Sequence, residues 1–168
     1  MMRVVSTIIL GGLIIGMTGC EPAIDSRLPT TTELAGLFGD GIELRLNGNV
    51  VEVTVTQSPD QLRRGGPIWA KAGPYIYLFT PQTQSIFDDY GGVGGVRVTT
   101  LDGRDRLIAR ALLQRSTLNS VTWKRAINVS GRARVEGTRR PNTMVELAEY
   151  GEENTEFEYS ARYVRTDR

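Results

Sequence analysis

The sequence predicts an α+β domain in which a largely antiparallel sheet carries helices mainly on one face. Three stretches support this prediction. A hairpin signal centres on Asn47-Gly48, helical spacing with capping residues runs through residues 119–154, and apolar and polar residues alternate through 155–164. If residues 119–137 and the glutamate-rich stretch after them form strands instead, the chain would be a β-sandwich.

A polar tether and a short helix open the part of the chain after residue 20. Residues 21–31 are polar and contain two prolines, which is typical of a tether. Thr30 and Glu33 have the spacing of a capping box, and apolar residues follow at helical spacing. This pattern predicts a short helix that ends at Gly39 or Gly41.

The clearest local signal is a β-hairpin. Residues 42–46 and 49–56 flank Asn47-Gly48, the dipeptide that best suits a type I′ turn. The apolar side chains of both strands then fall on one face of the hairpin. In this register the facing pairs are Leu46 with Asn49, Leu44 with Val51 and Ile42 with Val53.

The middle of the chain predicts a buried strand between two short helical segments. Residues 60–64 favour a turn or a single helical turn. Residues 75–79 form the most continuously apolar segment after residue 20, which favours a strand covered on both faces in the middle of the sheet. Pro81 then starts a short helix that ends at Gly91, and its apolar side is formed by Ile86, Phe87 and Tyr90.

A second pair of strands follows. Residues 96–101 alternate as a strand, and Asp102-Gly103 predicts a turn. Residues 106–113 are interpreted as the returning partner strand. A helix is the alternative there, because the segment also contains good helix formers.

Residues 119–137 allow two interpretations. As a strand, the segment would direct the side chains at odd-numbered positions toward the core. Arg125 and Gly131 interrupt that alternation, and the segment is long for a strand. As a helix, it has Asn119 as a cap, Gly137 as a stop and one apolar side. We favour the helix, whose inward side would consist of Trp123, Ala126, Ile127, Ser130 and Ala133.

A helix and a strand are predicted to close the domain. After Pro141, Thr143 and Glu146 again have capping-box spacing, and the apolar stripe that follows predicts a helix to about Asn154. Residues 155–164 then alternate between apolar and polar side chains, which predicts a half-buried strand.

The first twenty residues have a different character. Arg3 supplies a single positive charge, and residues 4–15 form an apolar run too short to span a bilayer as a helix. The run ends in Met17-Thr18-Gly19-Cys20. This segment resembles the lipobox signal peptide of bacterial lipoproteins, in which an apolar residue and two small residues precede a cysteine. The resemblance implies that the Cys20 thiol receives a diacylglyceryl group and that the mature chain begins at Cys20.

This resemblance also implies a domain order and a location. Residues 1–19 would be the signal peptide, residues 20–31 the lipidated tether, and residues 32–168 a single globular domain of ordinary length. Two or three acyl chains on Cys20 would anchor the protein stably in a membrane. Residue 21 is Glu, not the aspartate that retains such lipoproteins in the inner membrane. We therefore expect the periplasmic side of the outer membrane in a Gram-negative cell, and the outer face of the cell in a bacterium with one membrane.

The composition excludes several classes of protein. Cys20 is the only cysteine, so no disulfide is expected within the chain. Without residues 1–19 the chain has 19 basic and 19 acidic residues, which argues against nucleic-acid binding. There is no histidine, so the commonest general base and the usual zinc ligand are both missing. The sequence predicts no cofactor and no metal site.

Carboxylates are the catalytic groups that remain. A glycosidase needs only two carboxyl groups at the right separation. We favour solvated surface or turn capping over catalysis for each candidate. The candidates are Asp88 with Asp89, Asp102 with Asp105, and the six glutamates between Glu146 and Glu158.

The run Gly91-Gly92-Val93-Gly94-Gly95 invites comparison with a phosphate-binding loop. It lacks the lysine and hydroxyl residue that end a P-loop, and it lacks the spacing of a dinucleotide-binding fingerprint. We expect a flexible connection between a helix and a strand.

Charge is distributed unevenly in the second half of the chain. Residues 97–140 contain 11 basic and three acidic residues, and residues 141–158 contain six glutamates and no basic residue. The two segments either neutralise one another in the fold or leave a basic surface for anionic lipid headgroups, cell-wall polymer or a partner protein. The candidate residues for such an anionic-partner surface are Arg132, Arg134, Arg139 and Arg140.

Two classes of function follow from these observations. We favour an envelope lipoprotein that is anchored to the membrane through Cys20 and acts as a non-enzymatic binding or assembly module, in contact with another envelope protein or an anionic surface. The alternative is a small periplasmic hydrolase that depends on carboxylates. The sequence identifies neither the partner nor a substrate.

Overall fold

The structure is a computed structural model that describes residues 26–39 and 41–165. The predicted signal peptide 1–19, Cys20 and the tether up to residue 25 lie outside the described residues. The elements of the described part, in chain order, are α1 (Thr31–Ala35), β1 (Ile42–Asn47), β2 (Val50–Thr56), α2 (Pro59–Leu78), α3 (Pro81–Asp89), β3 (Gly95–Leu101), β4 (Leu107–Gln114), α4 (Ser120–Glu136), α5 (Pro141–Asn154), β5 (Glu156–Tyr159) and α6 (Ala161–Val164).

The five strands form one sheet in the order β1-β2-β3-β4-β5. Three of the four pairings are antiparallel, whereas β2 and β3 are parallel. The parallel pair requires a long connection between its strands, and α2 and α3 provide it. The predicted α+β class with a largely antiparallel sheet is therefore confirmed.

One face of the sheet packs against the helices and forms the core. Helix α2 lies on β3 and β4, and α4 and α5 pack against α2 in turn. The expected placement of helices on one face is confirmed by the buried side chains that β2, β3 and β4 direct toward them: Val51, Val53, Val55, Val96, Val98, Ala111 and Leu113.

The opposite face of the sheet carries charged side chains that pair across neighbouring strands. The guanidinium of Arg97 on β3 lies 2.8 Å from Glu52 on β2. On the same face, toward the other edge of the sheet, the guanidinium of Arg110 donates to Glu158 at 2.8 Å. These pairs are half-exposed or exposed, so their net contribution to stability is about 1 kcal/mol or less each.

The prediction of a buried strand at residues 75–79 is wrong. Residues 75–78 form the last turn of α2, which runs from Pro59 to Leu78 with a kink at Gly66. The backbone of Gly66 has φ 57° and ψ −149°, a conformation that glycine adopts with little strain, and Pro67 starts the helix again after it. The apolar run is continuous because this half of α2 is covered by the sheet and by other helices, and a short buried helix and a buried strand have the same pattern.

The hairpin of β1 and β2 is confirmed, but its predicted register is wrong by two residues. Leu44 faces Val53 and Leu46 faces Val51, so the two turn residues are Gly48 and Asn49. Gly48 has a φ of 61°, which places the glycine at the first central position of the turn. The apolar face is unchanged, because a shift of two residues keeps every side chain on the same side of the strand.

Helix α4 confirms the helical interpretation of residues 119–137. The side chain of Asn119 accepts hydrogen bonds from the backbone N–H groups of Val121 and Thr122, and Gly137 ends the helix. The short helix after Thr30 also begins with the predicted capping box, although it ends earlier, at Gly36. Helix α3 and the strand pair β3 and β4 lie where the sequence places them.

Helix α5 is confirmed, but its predicted capping box is wrong. The helix begins at Pro141, with Arg140 as a cap residue whose side chain forms no capping bond. The hydroxyl of Thr143 donates to the carbonyl oxygen of Arg140 at 2.8 Å, and Glu146 pairs with Arg132 instead. Proline at the first helical position starts α5 without a capping box.

The final strand is shorter than predicted. It ends at Tyr159, and residues 161–164 form the short helix α6. This turn lets the hydroxyl of Tyr163 reach the carboxylate of Asp102 at 2.6 Å, and it packs Tyr163 against the buried Ile108. A continued strand would leave both contacts unmade.

The glycine run at residues 91–95 connects α3 to β3, as predicted, and it also receives the described end of the tether. The backbone N–H of Gly92 donates to the carbonyl oxygen of Arg27 at 3.1 Å. A side chain at Gly92 would lie 2.2 Å from the carbonyl oxygen of Ser26, so only glycine allows the tether to pass this close. The guanidinium of Arg27 also lies over the ring of Tyr90.

Arg115 holds the same connection from the other side. Its guanidinium donates to the carbonyl oxygens of Val93 and Phe87, each at 2.6 Å, and to that of Tyr90. The carbonyls of Phe87 and Tyr90 belong to the end of α3, where the helix provides no N–H partners. One side chain therefore ends a helix and fixes the loop on which the tether lies.

We predict that Arg115→Gln lowers the free energy of unfolding by about 2–4 kcal/mol, because several charge-assisted hydrogen bonds to carbonyl oxygens are lost together. Urea denaturation of the protein measures this change. Arg104→Gln is the matched control, since Arg104 is exposed and its substitution should change the value by less than about 0.5 kcal/mol. Equal effects of the two substitutions would contradict the role given to Arg115.

Candidate functional site

A cavity of about 290 Å³ lies where β2 ends, between α2 and α4. We call it the Gln57 cavity. It combines a buried amide, two aromatic rings and one guanidinium, and these are the groups that fix the orientation of a ligand in a mostly apolar pocket. Its lining residues are Gln57, Gln61, Trp69, Ile76, Tyr77 and Arg134.

Gln57 is the least accessible polar side chain of this cavity. It follows β2 directly, its backbone N–H donates to the carbonyl oxygen of Leu101 at 2.8 Å, and the residue is only 4% exposed. Its amide nitrogen lies against Gly73 of α2, where a side-chain carbon would be 2.0 Å away. Its Oε1 atom is buried and accepts no hydrogen bond from any residue in 26–39 or 41–165. An unsatisfied buried acceptor of this kind costs about 1–3 kcal/mol of stability.

Arg134 belongs to the last turn of α4 and reaches the end of α2. Its Nη2 donates to the carbonyl oxygen of Ile76 at 2.6 Å, and the hydroxyl of Ser130 donates to the same oxygen at 3.3 Å. That carbonyl lies in the last turn of α2, where a positive charge is favourable. Arg134 thus has a structural role, and its remaining N–H groups are left for other partners.

Two further cavities of about 230 Å³ each adjoin the Gln57 cavity. One shares Trp69 with it and extends past Arg64 toward the start of α5. The other shares Tyr77 and Arg134 with it and extends toward β1. We call the three cavities together the α2 groove. Among the described residues that line the groove there are two arginines and no carboxylate.

The structure disperses the four arginines that the sequence nominated as an anionic-partner surface. Arg132 pairs with Glu146 at 2.7 Å, and Arg140 pairs with Glu136 at 3.3 Å. Arg139 is exposed between α4 and α5, and only Arg134 lines the α2 groove. The ion pair of Arg132 joins the basic segment to the acidic one. Binding of an anionic partner by these arginines stays a prediction.

All but one of the candidate carboxylates occupy exposed or half-exposed positions. Asp88 and Asp89 are exposed at the end of α3. Four of the glutamates between residues 146 and 158 have polar partners in other elements. These contacts are Glu146 with Arg132, Glu152 with Lys71, Glu156 with Gln114, and Glu158 with Arg110.

Asp102 is the one candidate carboxylate that is largely buried, at 7% exposure. Its carboxylate accepts hydrogen bonds from the guanidinium of Arg106, from the hydroxyl of Tyr163, and from the backbone N–H groups of residues 104 and 106. Arg106 and Tyr163 hold the pKa of Asp102 well below its ordinary value, and this effect outweighs the opposite effect of burial. A carboxylate that stays ionised in this way ties β3, β4 and α6 together and is poorly suited to act as a general acid.

Within 26–39 and 41–165 there is no group of three or more acidic, cysteine or histidine side chains that could hold a metal ion. None of the helices in this part of the chain combines the length and the apolar character needed to cross a bilayer.

Comparison of the chain with protein-family models, with curated proteins and with solved structures finds no match. The site therefore has to be interpreted from its own geometry.

Sequence reasoning did not identify the Gln57 cavity. Gln57 lies between a strand and the turn signal Ser58-Pro59, where a polar residue is ordinary. The residues that surround it come from α2 and α4, and the sequence predicts a strand at residues 75–78, where the structure has the last turn of α2. A signal was present in Arg134, which was singled out for its charge, although its position over the end of α2 follows only from the fold.

We predict that Gln57→Met raises the free energy of unfolding by about 1–2 kcal/mol. Methionine has a similar length and no acceptor that must be left unsatisfied in the interior. Urea denaturation of the protein measures the change, with Gln82→Met as a control at an exposed position of the groove. A marked loss of stability in the Gln57 variant would show that the amide is satisfied in the folded protein.

We predict that acid destabilises the domain in part through Asp102 and Glu33. The pKa of Asp102 is lowered from 3.8, and hydrogen bonds from Thr30 and Arg27 lower the pKa of Glu33 from 4.5 to about 2. Carboxyl groups with lowered pKa values stabilise the fold above their unfolded values and lose this effect as the pH falls through the folded values. The urea midpoint should therefore fall between about pH 5 and 2, and Asp102→Asn should make that fall less steep. An unchanged slope in the variant would contradict the prediction.

Proposed function

We propose that this protein is a lipid-anchored protein of the bacterial cell envelope whose domain binds a ligand in the α2 groove without catalysing a reaction. The anchoring half of the proposal rests on the resemblance of residues 1–20 to a lipobox signal peptide. The binding half rests on the groove. We prefer binding to hydrolysis because the candidate carboxylates are exposed, paired with cations or held ionised.

The observation that carries the binding function is the unsatisfied amide of Gln57 in the wall of a cavity. The protein would be more stable with an apolar residue of the same size at this position. Proteins retain residues that lower the stability of the fold mainly at functional sites, where activity and stability are in conflict. A ligand that donates a hydrogen bond to this amide would recover the cost on binding.

The position of the tether supports binding at the far end of the domain. The described end of the tether lies on Gly92, just before β3 begins, whereas Gln57 lies beside Leu101, where β3 ends. The seven residues of β3 separate these points by about 20 Å. Residues 20–25 reach at most about 20 Å when extended, so the anchor would keep the tether end of the domain close to the bilayer. The α2 groove would then open on the side away from the membrane.

We predict that a palmitate analogue supplied to growing cells labels the protein and that Cys20→Ser abolishes the label. The reason is that Cys20 is the only cysteine of the chain, so no other thiol could carry the analogue. Fractionation of the envelope by density then reports which membrane holds the labelled protein. A protein that is never labelled, or that is still labelled after Cys20→Ser, would rule out the anchor.

A photo-reactive amino acid placed in the groove tests the binding half. Position 61 lies in the wall of the Gln57 cavity, and position 54 lies on the opposite, open face of the sheet as a matched control. We expect a crosslinked product in intact cells from position 61 and none from position 54. Products that are equal at both positions, or absent at position 61, would count against binding in the groove.

A further inference from the structure

We propose that the Gln57 cavity binds a small carboxylate, with the carboxylate beside Arg134, a hydrogen-bond donor of the ligand on the Gln57 amide, and an apolar body against Trp69 and Tyr77. This inference rests on the proposed function and names the ligand class of the same site. The carboxylate is carried either by a free small acid or by the carboxyl end of a peptide.

The charge of the cavity favours a single negative charge. Arg134 is the only charged residue among the six that line it. A guanidinium has five N–H groups, and one Nη2 group of Arg134 is used on the carbonyl of Ile76. The planar fork of the remaining groups matches a carboxylate, with which guanidinium groups form paired hydrogen bonds. One guanidinium and no second cation suit a monoanion better than a doubly charged phosphate.

Gln57 determines the second group of the ligand. Its amide nitrogen lies against Gly73 and has no room to approach a ligand from that side. Its Oε1 atom is buried without a hydrogen-bond partner among the described residues, so a ligand group that reaches this atom has to be a donor. An amide N–H or a hydroxyl of the ligand provides that donor.

The walls and the volume of the cavity determine the apolar part and the size of the ligand. Trp69, Ile76 and Tyr77 offer apolar surface on which a hydrocarbon group can pack. The volume of about 290 Å³ lies just below the range of about 300–1,000 Å³ that is usual for small-molecule sites, so the ligand is small. A molecule with a carboxylate, an adjacent N–H and a short apolar group, such as an N-acylated amino acid, has all of these features.

Trp69 provides a direct measurement of binding. The chain has two tryptophans, and Trp123 is buried in the core against Phe87, away from the groove. In a Trp123→Phe protein, the fluorescence of Trp69 alone reports occupation of the cavity. The probes are N-acetyl-leucine, its uncharged amide, and a tetrapeptide with a free carboxyl end.

We expect N-acetyl-leucine to change the Trp69 fluorescence with saturation and its amide to bind about tenfold more weakly or not at all, since the amide lacks the charge that pairs with Arg134. Tighter binding of the tetrapeptide than of N-acetyl-leucine would identify a peptide end as the source of the carboxylate, and tighter binding of N-acetyl-leucine would identify a free acid. Either order supports the inference.

Two variants separate the contacts from general damage to the fold. Arg134→Gln should remove the preference for the acid over the amide, whereas Lys124→Gln, at an exposed position of the same helix outside the groove, should leave it unchanged. Gln57→Met should weaken binding of N-acetyl-leucine about tenfold while it raises stability, so the loss could not be attributed to unfolding.

Two results would overturn the inference. Equal binding of the acid and the amide would exclude the carboxylate while leaving the groove as a binding site. Failure of both acids to change the Trp69 fluorescence in a folded protein would exclude this ligand class. In that case the crosslinking from position 61 would still decide whether the groove binds anything.

Discussion

The fold depends on the burial of helix α2 between the sheet and the helices α4 and α5. The second half of α2 and its cap residue Phe79 contribute much of the core, and Tyr75, Leu78 and Phe79 are almost fully buried. A helix covered on several sides has to satisfy its terminal carbonyl groups with side chains, because water does not reach them. Ser130 and Arg134 do so at Ile76, and this requirement brings a guanidinium to the cavity beside Gln57.

Two arginines have the same local role at opposite ends of the domain. Each donates hydrogen bonds to the carbonyl groups at the end of a helix. Arg115 donates to the carbonyl groups at the end of α3 and holds the loop on which the tether lies. Arg134 donates to the end of α2 and lines the groove. Both use the planar, always charged guanidinium, which lysine could not replace with the same number of hydrogen bonds. The end of the domain near the anchor and the end that we propose for binding are thereby stabilised by the same kind of contact.

Gln57 and Asp102 show opposite solutions for a polar group in the interior, although they follow neighbouring strands. Asp102 has donors from a guanidinium, a hydroxyl and the backbone, so its burial is offset. The Oε1 atom of Gln57 has no donor among the described residues, so its burial is not offset. A buried polar residue with a purely structural role requires full hydrogen bonding, as Asp102 has. The arrangement of Gln57 is one that a bound ligand would complete, and this contrast is the basis on which we propose the site.

Local patterns in the sequence were sufficient for the α+β class, for the hairpin, and for the bounds of α3 and α4, because capping residues, turn residues and the spacing of apolar side chains act within a few residues. The lipobox resemblance and the candidate Cys20 also came from the sequence alone. Only the tertiary structure decided that residues 75–78 are helical, that β2 and β3 are parallel, and that Arg134 and Gln57, more than seventy positions apart in the chain, line the same cavity. The physical reason is that a buried helix has no polar face to mark its period, and that a cavity is formed by elements whose approach is set by packing and not by their own residues.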